Sequence, residues 1–304
     1  MDVVPVSMAT YLGRPNFVLF CEPGRSPIPK CYIDFNTILD KGSQFLFEGC
    51  STPYHSDSNL KKMAICMQNH TQKSNIQNIR KVSKFGKDDF CETLGDDFQS
   101  ATEWLAHFPE FQKLPHYQKM ELLKIIWHFY SKYKTIFLTA RKRASMNMTE
   151  NEYLVKSDTV FDWRTTKIDT SWFSEYSSEQ LMYFFDLEAK KYNKVVYQLI
   201  ELDASDVEAT YMIGQFCLHY AGKRLQGELG DICDRLQDII SNELHNYYVN
   251  DMNISNYSTR LAKMMKINNL IQKTIFEYRW KSDVAKTFDI FTLEFSHPEM
   301  FEDF

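Results

Sequence analysis

Helix breakers are what this 304-residue chain lacks over most of its length: no proline stands between Pro115 and Pro298, and no glycine between Gly95 and Gly214. Proline costs about 3 kcal/mol and glycine about 1 kcal/mol inside a helix, so stretches without them favour helix over turn-rich sheet. Two-residue hairpin signals are also missing. The seven cysteines (Cys21, Cys31, Cys50, Cys66, Cys91, Cys217 and Cys233) are odd in number, and no two have the C-x2-C spacing of a zinc knuckle or a redox pair. They read as reduced thiols of an intracellular protein. No apolar run approaches the roughly 20 residues of a membrane helix. Phe17-Val18-Leu19-Phe20 is too short for the core of a signal peptide and is followed by Glu22 and Arg25. Four glycosylation sequons, at Asn69, Asn147, Asn253 and Asn256, are discounted without such a signal. A net charge of -5 gives no global attraction to nucleic acid.

Catalytic signatures are missing as well. The patterns H-E-x-x-H, G-x-S-x-G, G-x-G-x-x-G and G-x4-G-K-[ST] do not occur, and the eight histidines show no metal-ligand spacing. His128 and His219 stand beside apolar helix positions, as core or boundary histidines do. The expectation is a protein that is not an enzyme, with no metal and no cofactor.

Aromatic residues are plentiful, at 15% of the chain, and 13 methionines add adaptable apolar volume. Five of the nine prolines fall within the first 29 residues, which predicts a flexible arm over 1–29 and a folded domain over 30–304. Apolar residues recur at three- and four-residue spacing in Leu181 to Ile200, Leu225 to Leu244 and Leu261 to Tyr278. Ser178 and Ser205 stand where helix caps belong, and Gly222, Gly227 and Gly230 punctuate two long helices. Earlier helices are predicted over Ile33 to Phe47 and from Leu60 to about Lys84. The second carries Lys61, Lys62, Lys73, Arg80, Lys81 and Lys84 with no acid, which reads as a solvated face rather than a nucleic-acid strip. Arg141-Lys142-Arg143 suits a helix C-terminus. From Val155 to Ile168 the pattern weakens, leaving a short β-ribbon or a loop.

Residues Glu103 to Trp127 read EWLAHFPEFQKLPHYQKMELLKIIW. Trp104, Phe108, Pro109, Phe111, Leu114, Lys119, Met120, Leu122, Leu123 and Trp127 fall, without a gap, on the signature of nuclear-receptor ligand-binding domains. Leu199 to Gly222 and Asn256 to Arg279, with its Arg260-Leu261 pair, resemble two further helical regions of that family. The terminal FSHPEMFEDF resembles its activation helix, near 296–304. The wording is nearest to the divergent receptors of nematodes, and the eight zinc-ligating cysteines of the family's DNA-binding module have no counterpart in this sequence. The resemblance implies an all-α, three-layer antiparallel helical sandwich of about 10–12 helices around an apolar cavity.

It also implies function. A small hydrophobic ligand in the cavity would bias the last helix between positions, and that helix would complete a groove for a coregulator helix. Lys119, Leu123, Lys124, Glu299, Met300 and Phe301 are the groove candidates. Glu299 is expected to cap the partner's N–H end and a lysine its carbonyl end. The family's usual clamp lysine is here Ala106, which leaves Lys119 or Lys124 for that role. Polar Ser296 and His297 also depart from the activation-helix pattern. Leu105, Phe129, Tyr130, Ile271 and Ile275 are the candidate ligand-pocket wall. Arg260, Leu261 and Met264 are the candidate dimerisation surface, toward another nuclear receptor or a second copy. The expected activity is regulation of transcription in the nucleus, shared or not with the cytoplasm, without direct DNA contact from this chain and without a membrane. The alternative is a scaffold with a filled core that works by pairing with full-length receptors.

Overall fold

A computed structural model describes residues 30–50, 54–72, 79–146, 148–185, 189–277 and 279–301. The predicted arm over 1–29 lies outside them. The elements in chain order are β1 (Cys31–Ile33), α1 (Asn36–Glu48), α2 (Asn59–Gln72), β2 (Arg80–Lys81), β3 (Lys84–Phe85), α3 (Lys87–Ala106), α4 (Pro109–Gln112), α5 (His116–Ser145), β4 (Glu152–Lys156), β5 (Thr159–Asp162) and β6 (Lys167–Ile168). There follow α6 (Ser178–Phe185), α7 (Ala189–Leu202), α8 (Asp206–Leu225), α9 (Gly227–Asn246), a π-helical turn (Tyr247–Asp251), α10 (Ser258–Phe276), α11 (Arg279–Thr287), β7 (Leu293–Phe295) and a 3-10 turn (Pro298–Met300).

The helices stack in three tiers. Helix α5, 30 residues long, runs through the middle beside α8, and α9 packs along α8. Helices α1, α2 and α3 form one outer tier, with α3 packed along α5; α7 and α10 form the other. Seventeen residues of α5 are buried, among them Leu122, Leu123, Ile126, Trp127, Phe129, Tyr130 and Tyr133. A helix apolar around so much of its circumference belongs in a core. One continuous hydrophobic cluster joins these residues to Trp104, Phe108, Phe111, Val195, Met212, Ile240 and Ile271. A second, smaller cluster joins Phe173, Leu181, Phe184, Ala285 and Ile290.

Local chemistry sets the helix ends. The Ser205 hydroxyl accepts from the Glu208 N–H at 3.2 Å, and the Glu208 carboxylate accepts from the Ser205 N–H at 2.8 Å, a reciprocal cap that starts α8. Lys142 and Arg143 close α5 at the negative pole of its dipole. Helices α8 and α9 separate at Gln226 and Gly227, both with positive φ, of 48° and 58°.

Several expectations need correction. The second helix stops at Gln72; residues 73–78 lie outside the description, and Arg80–Lys81 and Lys84–Phe85 are short strands parallel to β5 and β6. The basic run gains acids far along the chain: Lys81 pairs with Glu152, Lys84 with Asp169 at 2.9 Å and Lys61 with Asp251 at 2.6 Å. The ambiguous stretch near 155–168 forms the antiparallel β4–β5 ribbon, including a bulge between Leu154 and Lys156. The long helix predicted up to Arg279 ends at Phe276, and α11 follows. The tail expected to be an activation helix near 296–304 holds, in its described part, a three-residue 3-10 turn, Pro298–Met300, after strand β7 (Leu293–Phe295), with 302–304 outside the description. Its backbone is engaged elsewhere: β7 pairs in parallel with β1, Cys31 with Leu293 and Ile33 with Phe295.

Candidate functional site

The signature segment folds as one bent unit. Helix α3 closes where the His107 N–H reaches the Glu103 carbonyl at 3.2 Å. Phe108 is extended, Pro109 opens α4, and Pro115 precedes α5. Phe108, Phe111 and Leu114 are buried and pin the bend to the core. This brings the C-terminal half of α3 beside the N-terminal half of α5, and the chain's last described residues close one end of the space between them.

Met300 and Phe301 are each 4% exposed. The Phe301 ring stacks on Phe295 at 3.8 Å and meets Trp127 edge-on at 5.6 Å and Phe35 at 5.5 Å. Glu299 is about half exposed; its carboxylate lies 3.8 Å from the Lys124 ammonium and 3.3 Å from the His297 ring, and Lys124 also faces Glu121 at 3.6 Å. The Glu299 carbonyl accepts from Arg224 at 3.3 Å. Four of the predicted groove residues, Lys124, Glu299, Met300 and Phe301, therefore converge. Leu123, next to Lys124 in α5, is fully buried. Lys119 is different: 6% exposed, it donates from Nζ to the Leu46 carbonyl at 2.6 Å and to Gln112 Oε1 at 3.1 Å. Burial lowers its ammonium pKa from the ordinary lysine value. Ala106, at the position of the family's usual clamp lysine, is buried.

The predicted pocket residues Leu105, Phe129, Tyr130, Ile271 and Ile275 all belong to the main core cluster. Tyr130 packs on Trp104 at 4.8 Å, and Phe129 on Tyr220 at 4.1 Å. Burial, the largest cause, pushes the Tyr130 phenol well above its usual range. A pocket of about 190 Å3 opens elsewhere, between β1, the start of α1 and α3, lined by Tyr32, Ile33, Phe35, Ile38, Lys87 and Leu94 among others.

Two of the three predicted dimer residues turn inward. The Arg260 guanidinium donates to the Glu208 carboxylate from both Nε and Nη2, the latter at 2.8 Å, and to the Leu202 and Asp203 carbonyls at 3.1 and 3.2 Å. Met264 is fully buried, and Leu261 is half-buried against the core. The exposed face of α10 carries Ala262, Lys263, Lys266 and Asn269 instead.

Some polar groups escaped the reading of the sequence. Glu208 also accepts from the Tyr248 hydroxyl. Burial pushes the Glu208 carboxyl up, but the bonds from Arg260, Tyr248 and Ser205 outweigh it and leave the carboxyl below its ordinary value. Between α2, α3 and α5, the His70 ring bridges Glu103 Oε2 at 2.5 Å and Ser100 Oγ at 2.9 Å, and Lys134 donates to Ser100 at 2.9 Å. These partners lie 30 or more residues from one another or on different helices, so no local spacing signals them; only the capping pattern Ser205-x-x-Glu208 was visible. Among the described residues no group of three or more His, Cys, Asp or Glu is placed to hold a metal ion, and no helix is long and apolar enough to cross a membrane.

Comparison with known proteins agrees with this fold. Residues 75–288 match the family model described as the ligand-binding domain of nuclear hormone receptor. Among curated relatives, nuclear hormone receptor family member nhr-55 of Caenorhabditis elegans is 42% identical over 99% of this chain and 72% of its own length. Family member nhr-130 of the same organism is 38% identical over 100% of this chain and 70% of its own, and nhr-115 is 36% identical over 98% and 75%. Proteins of this family are ligand-regulated transcription factors and not enzymes. With its three helical tiers, its signature bend at Pro109 and these matches, the chain belongs to the nuclear hormone receptor family, and most of it is the ligand-binding domain.

Proposed function

We propose that the chain regulates transcription by presenting a groove, framed by α3, α5 and the Ser296–Phe301 tail, to the helix of a coregulator, and that an apolar small molecule in the core tunes how firmly the tail is held. The observation that carries this reading is the docked tail: Phe301 packs on Trp127 of the signature segment, and Glu299 stands at the rim beside Lys124. An acid at that rim suits the N–H end of an incoming helix, and an ammonium such as that of Lys119 suits its carbonyl end. The ligand would bind where Leu105, Phe129, Tyr130, Ile271 and Ile275 meet and would be lipophilic, since these walls offer one hydroxyl and otherwise carbon. A ligand that binds better to the tail-docked state shifts the population toward it by its differential affinity alone. Work in the nucleus beside a second receptor chain follows from the same reading. DNA recognition is no part of what these residues offer.

The test has two arms. A labelled leucine-rich amphipathic coactivator peptide is titrated into the chain and into Glu299→Ala; the substitution is expected to weaken binding several-fold, and an unchanged dissociation constant removes Glu299 from the groove. Native mass spectrometry of the purified chain is expected to retain a lipophilic adduct. A bare mass, together with a core that stays filled on soaking with sterols and fatty acids, favours the scaffold that pairs with other receptors instead.

A further inference from the structure

Helix α1 lies across the same groove. Its apolar stripe, Phe35, Ile38, Leu39, Gly42, Phe45 and Leu46, recurs at the three- and four-residue spacing of one helix face and packs on α3 and α5. Both ends are held by groove elements. At the carbonyl end Lys119 donates to the Leu46 carbonyl at 2.6 Å, and His116 bonds Ser43 at 2.9 Å. At the N–H end the Ser296 hydroxyl of the tail accepts from the Phe35 N–H at 2.8 Å, and the His297 ring meets the Asn36 side chain at 2.8 Å. Phe35 fills the space between Phe98, Trp127 and Phe301, at 5.3, 5.8 and 5.5 Å. At the closest approach a Cβ on residue 42 would come within 2.5 Å of Phe98 and 3.3 Å of Thr102, so glycine is what lets the two helices meet.

We propose that α1 is a detachable in-cis occupant of this groove, held by a lysine at its carbonyl end and the tail at its N–H end, and that an outside helix enters only in exchange for it. The inference rests on the groove reading above. The competitor must be an amphipathic helix with bulky apolar residues at i, i+3 and i+4, a small residue at i+7, and free C-terminal carbonyls for Lys119. While α1 is docked, apparent affinity for such a helix is reduced by the fraction of molecules in which α1 is out. An open population of 0.1–10%, the usual range for a minor state, makes that factor about 10 to 1000.

The experiment uses the full chain and a fluorescein-labelled synthetic peptide of its own residues 31–50. Gly42→Leu keeps α1 helical but blocks its docking. Peptide 31–50 is expected to bind the Gly42→Leu chain at least about tenfold more tightly than the native chain, and Lys119→Ala in that background is expected to weaken it again. Equal binding to both chains, each with native circular dichroism, overturns the proposal. Should Gly42→Leu fail to fold, hydrogen exchange decides. In the native chain α1 amides are expected to exchange faster than those of α8 and α9, and Lys119→Ala to accelerate α1 alone; α1 exchanging only together with α8 overturns the proposal. A separate arm reads the groove assignment itself. If peptide 31–50 binds the opened chain and the coactivator peptide does not, α1 is the occupant of a groove with no coregulator role, and the function proposed above falls on its own.

Discussion

Removing the Arg260 side chain should destabilise the domain by more than its half-exposed position suggests. The side chain of Arg260 is 38% exposed, but its partner Glu208 is 4% exposed. Arg260→Ala leaves that carboxylate with the Tyr248 hydroxyl and the Ser205 N–H and takes away both guanidinium bonds. It also strips the Leu202 and Asp203 carbonyls at the end of α7 of their donor. Breaking a fully buried pair costs about 3–5 kcal/mol. Solvent screening of the exposed half of Arg260 reduces that, and about 2 kcal/mol is the expected loss. Urea denaturation followed by tryptophan fluorescence and far-UV circular dichroism gives the number, and the matching fall in Tm is about 4–6 °C. Arg260→Lys keeps the charge but not the two-pronged geometry and should lose about 1 kcal/mol. A loss below about 0.5 kcal/mol for Arg260→Ala, the range of ordinary surface substitutions, would refute the reasoning, because it would mean that Glu208 is solvated or otherwise paired.

The same group sets an acid limit. The folded-state pKa of Glu208 lies below its unfolded value, so its contribution to stability is present above the unfolded pKa and lost as pH falls through the folded one; Glu208→Gln should flatten the acid limb of a stability–pH curve, and parallel limbs would contradict this. Ser205→Ala removes the cap of α8 and should cost about 1 kcal/mol in the same urea assay; no change would place the start of that helix elsewhere. Phe301→Ala deletes a ring packed between Trp127, Phe35 and Phe295, and because the tail can detach instead of leaving a cavity, the loss should be about 2 kcal/mol, less than the 3–5 of an internal Phe→Ala. Buried Cys66, Cys217 and Cys233, the last pushed up to about 12 by burial, should alkylate far more slowly in the folded chain than half-buried Cys31; equal rates mapped by mass spectrometry would show that the core opens readily.

The tiers were legible in the sequence because their signals are local. A period near 3.6 marks α7, α9 and α10, and Ser205 caps α8 as expected, whereas α6 is capped one residue earlier than expected, by Ser177, whose hydroxyl accepts from the Gln180 N–H at 3.3 Å while Ser178 lies inside the helix; the run from Trp104 to Trp127 fixes the bend at Pro109. What escaped depends on residues far apart in the chain. Strand β1 pairs with β7 across some 260 residues, and three-residue strands carry too few side chains to show alternation. The basic run from Lys61 to Lys84 looked unpaired because Asp251, Glu152 and Asp169 come from other elements. The family pattern puts Arg260 and Met264 on a surface, whereas the rotation of α10 turns them toward Glu208 and the core. The sequence offers Lys119 or Lys124 as the ammonium in place of the lysine missing at position 106; that the acceptor of Lys119 is the chain's own Leu46 carbonyl follows only from where α1 packs.

The claim that most of the account depends on is that one groove, between α3, α5 and the tail, holds either α1 or an outside helix. Phe47 at the end of α1 and Tyr117 at the start of α5 are 76% and 61% exposed, and the Phe47 ring lies 5.8 Å from that of neighbouring His116. Genetically encoded spin labels at positions 47 and 117 report directly on that exchange, by dipolar broadening of the continuous-wave spectrum for the short distance and by double electron–electron resonance for the long one. The account predicts a single short distance in the free chain and a second, longer and broader one that grows as the coactivator peptide saturates. A short distance that persists unchanged with the peptide fully bound would contradict it.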